Sequence, residues 1–183
     1  YTDFEVIGRT RDDAAGEAMD KAARTVGLPY PGGVNLDKIS KDGDENKYKF
    51  PVPKVSDSKY DLSFSGLKTF AVNLVHNASQ KGETVKPEDL GASFIKAVTD
   101  LLVSHTMEAA KDTGAKTLVL AGGVSANSRL RRVMKEECDK RGIKLFMPEL
   151  KYCGDNAAMI ASQGYYEYLD GKRADLTLNA VAS

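Results

Sequence analysis

Apolar positions follow two rhythms, a helical one over most of the chain and short unbroken runs in its second half. Ala14, Ala15, Ala18, Ala22 and Val26 support a helix that runs to about residue 26. Thr10 is placed as its N-cap, with Asp12 and Asp13 in a first turn that favours negative charge. Gly27 and the turn Leu28-Pro29-Tyr30-Pro31-Gly32-Gly33 end it, and a short helix follows over about 34–41. Residues 41–59 are polar, contain Pro51 and Pro53, and read as loop with short strands. Residues 61–64 read as extended, and 66–77 as a helix with Leu67, Phe70, Ala71, Leu74 and Val75 on one side. After a linker over 81–86, the longest helix runs from Pro87 to about residue 112, with Leu90, Phe94, Val98, Leu101 and His105 along one face. The rhythm then changes. Residues 116–121 and 143–147 read as short strands of the kind buried in a parallel sheet, alternating with helices over 127–141 and 157–169. Strand, helix, strand, helix predicts an α/β architecture with adjacent parallel strands.

Composition narrows the class. The 183 residues are 42% hydrophobic and 28% charged, enough for one core-bearing domain, or at most one and a half. Lys plus Arg equals Asp plus Glu at 26 each, which argues against gripping nucleic acid by total charge and leaves only a local patch. Cys138 and Cys153 cannot build a disulfide scaffold, so a reducing, intracellular setting is expected. No apolar run approaches the ~20 residues needed to cross a bilayer. The chain opens at Tyr1 and runs at once into Phe4-Glu5-Val6-Ile7-Gly8, which reads as a strand already inside a fold, so it is treated as part of a longer protein.

Chemistry concentrates in a few segments. Leu118 to Asn127 runs from strand through Gly122-Gly123 into a helix start, where bare backbone amides suit a phosphate; a plain tight turn explains the segment equally well. No Lys follows the glycines, and Ser65-Gly66-Leu67-Lys68-Thr69 also falls short of a Walker loop. Asp155 opens the last helix, either as an ordinary cap or as a metal ligand at the sheet's edge. Asp13, Glu17 and Asp20 share a helix face, either binding hydroxyls or pairing with Lys21 and Arg24. His76 and His105 have no ligand spacing, and His105 reads as a hydrogen-bonded core residue. Cys153 reads as a small buried thiol. Arg129, Arg131, Arg132, Lys135, Lys140 and Arg141 make one helix basic, either a face for RNA phosphates or an ordinary solvated surface.

In order, the motifs are Gly8-Arg9-Thr10 with Asp12 to Lys21, then Leu28 to Gly33, Ser63 to Thr69, Ala121 to Asn127, and Cys153 to Ala161. Together they resemble the catalytic subunit of the tRNA threonylcarbamoyladenosine-synthesis system, a family formerly labelled glycoprotease or sialoglycoprotein endopeptidase. The resemblance implies that residues 1–183 form the C-terminal part of an actin, sugar-kinase and Hsp70-like ATPase fold, with a mixed sheet and flanking helices. It implies transfer of a threonylcarbamoyl group from its adenylate to the adenosine 3′ of the anticodon, in tRNAs reading codons that start with A. By motif position Asp155 is the metal aspartate, for iron or zinc. The resemblance implies that Asp20, Gly33, Asp37 and Asn127 contact the threonylcarbamoyl-adenylate or ATP, and that Gly122 and Gly123 hold its phosphate. The resemblance marks no catalytic residue. It implies tRNA and accessory subunits as partners, no membrane, and a cytoplasmic location. The family's His-x-x-x-His metal motif lies upstream of this segment, so the isolated chain is expected to bind metal poorly and to be inactive. Two other readings remain: a metallopeptidase, which lacks His-Glu-x-x-His here, and an inert partner-binding relative, which would be free to lose Asp155 and the Gly-Gly-Val-Ser-Ala-Asn run.

Overall fold

The computed structural model describes residues 2–179. Its elements are α1 (Ala15–Thr25), α2 (Gly32–Ile39), α3 (Ser65–Gln80), α4 (Pro87–Thr113), β1 (Thr117–Val119), α5 (Ser128–Arg141), β2 (Lys144–Phe146) and α6 (Ala157–Leu169). Single 3-10 turns occupy Ser40–Asp42, Gly123–Ala126 and Leu150–Tyr152. The described residues are therefore mostly helical, with a small parallel sheet.

Local chemistry sets the helix ends. Pro87 occupies the first turn of α4 with Glu88 and Asp89 beside it, and Gly114 closes the helix at φ 69°, a left-handed conformation that favours glycine. The expected start of the first helix needs correction. It begins at Ala15, and the Thr10 hydroxyl donates to the Asp13 carbonyl at 2.9 Å in a turn ahead of it. The acidic pair serves another helix. Asp12 accepts from the Phe64 and Ser65 amides at 2.7 and 3.2 Å, so it caps α3, whose own N-cap residue Phe64 offers no side-chain bond. Burial alone would raise the Asp12 pKa, but these amides and the Ser63 hydroxyl outweigh it and hold the group below the usual carboxylate value. Asp13 lies between Lys21 at 2.9 Å and Lys68 at 2.7 Å, and their hydrogen bonds pull its pKa down to about 2. Lys21 also holds Glu17 at 2.6 Å, so the acidic face is relieved by pairing with Lys21.

Two cores share α4. The first gathers Met19, Leu36, Phe64, Leu67, Leu90, Phe94 and Val98 from α1–α4, with Phe50 set edge-on against Phe94 at a centroid distance of 5.4 Å. The second holds Val103, Met107, Leu130, Met134 and Cys138, with Leu118 and Leu145 of the sheet packed against them. Burial pushes the Cys138 thiol up.

The sheet differs from expectation in two ways. Among the described residues it is two parallel strands, Leu118 beside Leu145, rather than a mixed sheet. Its strands are not buried on both faces, because only one face meets α4 and α5; Val119 is 68% and Phe146 48% exposed. No strand forms over 41–59 among the described residues. That loop is held by hydrogen bonds between Ser93 and the Asp44 and Tyr48 backbones, and by a close pass at Gly43, where a Cβ would sit 2.0 Å from the Glu88 carbonyl oxygen. Residues 4–8 make no strand either. Phe4 and Val6 are exposed, and the nearest pairing is a single parallel bridge from Thr10 to Leu62. No helix among the described residues is long and apolar enough to cross a membrane.

Candidate functional site

The chain turns at Gly122, whose φ of 85° favours glycine, as it leaves β1. The following 3-10 turn delivers Asn127 to the start of α5, where its side chain accepts from the Leu130 amide at 2.9 Å. This turn forms a wall between two cavities.

The first cavity, about 550 Å³, brings together residues far apart in sequence: Asp20 from α1, Gly33 and Asp37 from α2, Gly123 from the turn, and Asn127. This volume lies in the range of small-molecule sites. Asp20 Oδ1 accepts the Gly33 amide at 2.7 Å, tying α1 to α2. Asp37 Oδ1 accepts from Asn127 Nδ2 at 2.9 Å, the Ser128 hydroxyl at 2.8 Å and the Ser128 amide at 3.2 Å, tying α2 to α5. Among the described residues Asp37 Oδ2 carries only the weaker bond to the same amide, at 3.3 Å, and retains capacity to accept from a ligand. The two glycines of α2 differ. A Cβ at Gly32 would lie 2.8 Å from Ala23 Cβ and Asp20 Cα, so packing requires glycine there. At Gly33 the nearest atom would be 3.7 Å away, so the protein leaves that space free beside the cavity.

The second cavity, about 570 Å³, shares Gly123 and adds Gly122, Phe146, Tyr152, Cys153, Asp155 and Asn156. Asn156, not Asp155, caps α6, accepting from the Met159 amide at 3.0 Å. The Asp155 carboxylate is thus freed from capping. It is not joined by other metal donors: no group of three or more His, Cys, Asp and Glu able to hold a metal occurs among the described residues. A divalent cation needs several such ligands, so the residues present do not make a complete metal site. His76 contacts Gln80 at 3.0 Å on α3, and the buried Nδ1 of His105 has no hydrogen-bond partner among the described residues, contrary to the expected satisfied histidine. Cys153 is a buried thiol near the Glu149 carbonyl at 3.7 Å, as expected.

The basic helix proves to be largely neutralised. Arg129 pairs with Glu45 and Asp100, Arg132 with Glu136, Lys135 with Asp139, and Lys140 and Arg141 with Glu137. Ser128 and Leu150, a partner of Asp37 and a wall of the first cavity, were not singled out by sequence. The only local sign of Ser128 was its place directly after the helix-capping Asn127.

Comparison with known proteins bears on the family. A family model described as TsaD, tRNA N6-adenosine threonylcarbamoyltransferase, matches residues 1–162. Proteins of that description from Caldicellulosiruptor saccharolyticus and Listeria innocua are 49% and 52% identical, over 97% of this chain and 52% of theirs in both cases. The one from Clostridium botulinum is 49% identical over 99% of this chain and 53% of its own length. The chain thus spans about half the length of the curated relatives it matches. Among solved structures, HypF from T. kodakarensis superposes with a TM-score of 0.61 at 21% identity, over 85% of this chain and 20% of that one, a likeness of fold. A full-length HypF in a phosphate- and nucleotide-bound form gives 0.55 at 19% identity, over 76% of this chain and 22% of that one. The ordered motifs and a match running through both cavities agree: the chain belongs to the TsaD family of tRNA N6-adenosine threonylcarbamoyltransferases.

Proposed function

We propose that this chain is the C-terminal part of an actin-like ATPase-type fold and supplies the adenylate-binding wall of a tRNA threonylcarbamoyltransferase. The complete protein transfers the threonylcarbamoyl group from its adenylate to the N6 amine of the adenosine 3′ of the anticodon, in tRNAs reading codons that start with A. It works in the cytoplasm with accessory subunits. The observation that carries this reading is the meeting of Asp20, Gly33, Asp37, Gly123 and Asn127 around one cavity. The HypF chain of like fold, described with phosphate and nucleotide bound, supports a nucleotide as occupant.

Each residue has a task. The Asp20 and Asp37 carboxylates accept from ligand hydroxyls with the oxygens their helix ties leave available. Gly33 leaves room for close approach, and the Gly122-Gly123 backbone receives the phosphate without side-chain obstruction. Asn127 orients the ligand from the head of α5. Holding the adenylate against a rigid turn reduces the freedom lost when the tRNA amine attacks the carbamoyl carbon and the adenylate phosphate leaves. An iron or zinc ion is consistent with Asp155 as one ligand only; the others would come from outside the described residues.

The test is Gly33→Leu in a complete family protein carrying this segment, titrated calorimetrically with ATP. Leucine lengthens a side chain into the space beside the cavity, so ATP affinity is expected to fall at least about tenfold, with the unfolding midpoint little changed. Undiminished ATP binding would overturn the assignment of this cavity.

A further inference from the structure

We propose that Arg131 is a positioning residue, a strut that fixes the turn between the two cavities to the segment forming the far wall of both. The inference rests on reading the first cavity as a nucleotide site. Arg131 differs from the ion-paired basic residues of α5: its two bonds to oxygen run to backbone carbonyls. Nη1 donates to Ser125 O at 3.1 Å and Nη2 to Pro148 O at 3.0 Å, with Cys153 Sγ 3.9 Å from Nη1.

Those two carbonyls belong to the parts that must be held together. Ser125 lies within the turn whose Gly123, Val124 and Ala126 line the first cavity. Pro148 opens the segment that sends Leu150 to the first cavity and Tyr152, Cys153 and Asp155 to the second. Within this segment Leu150 is 65% and Tyr152 47% exposed, while Cys153 is buried beside the guanidinium. A half-buried guanidinium bonded to carbonyls gives up the stronger attraction of a carboxylate. What it gains is geometry, because its planar fork reaches two acceptors at a fixed angle and an ammonium cannot.

The experiment compares Arg131→Met and Arg131→Lys with wild type in a complete family protein, reading ATP affinity, unfolding midpoint and amide hydrogen exchange. Both variants are expected to bind ATP about tenfold more weakly with a midpoint close to wild type. Exchange should quicken over 123–127 and 148–155 and stay unchanged in α1–α3. Recovery of binding in Arg131→Lys would show that charge alone matters and would overturn the strut. So would ATP affinity within twofold of wild type, or faster exchange throughout the molecule. If wild type itself failed to bind ATP, the proposed function would fall, and the exchange comparison would still decide the strut.

Discussion

The two cores are built to different standards. In the α1–α4 region, Phe94, Leu90, Leu36 and Leu67 are fully enclosed, and apolar side chains from four helices and the 41–59 loop close on one another. In the β1–α5–β2 region a thin core lies under one face of the sheet, while Val119 and Phe146 project outward and α6 has no buried residue. Ile160, Tyr165 and Leu169 of α6 are each more than half exposed. The comparison separates a region whose apolar residues hold the fold from one whose apolar residues form a surface. Both cavities lie on the second region's border, against the turn that leaves its sheet. The first region supplies a rigid wall, and the second supplies the bare backbone.

The contrast breaks first at Phe94. Phe94→Ala is expected to lower the stability of the chain by about 3–5 kcal/mol, measured by urea unfolding, because the surrounding helices cannot collapse into the space. A loss below about 1 kcal/mol would mean that the first core is loosely packed. A smaller effect tests the carboxylates tying α1 to α3. Asp12 and Asp13 both sit below their usual pKa, so their contribution is complete above the unfolded value of 3.8 and disappears as pH falls through the folded values, about 2 for Asp13. Lys68→Met removes one of the cations holding Asp13 down, so acid unfolding should begin at higher pH than in wild type, followed by circular dichroism. The smallest effect belongs to the other region. Val119→Thr should change the chain's stability by no more than about 0.5 kcal/mol. A loss above about 1 kcal/mol would show that the outer sheet face is covered in solution.

What was legible in the sequence follows the range of the interactions involved. Helices α3, α4 and α5 could be read because the apolar period and, for α4, Pro87 act within a few residues. Asp12 could not be placed, because the amides it caps lie more than fifty residues away, and the nearby α1 offered an equally plausible dipole. The strands were located but their burial was misjudged, since an apolar run does not reveal whether one or two layers will cover it. The Gly-Gly turn was visible as a possible ligand loop, yet nothing in the spacing placed Asp20, Asp37 and Asn127 around one cavity; only the family resemblance grouped them. Arg131 was hidden among charged neighbours, where composition cannot tell an ion pair from a fork closed on two carbonyls.

Helix α4 carries a last consequence. Over 27 residues, about 40 Å, it gives Leu90 to Leu101 to one core and Val103 and Met107 to the other without a break. A helix that serves as a common beam couples the unfolding of the two cores it supports. Heating should therefore melt the molecule in a single calorimetric peak despite its unequal halves, and a ligand seated in the second cavity, whose walls come from the sheet side alone, should raise the melting temperature of the helical bundle as well.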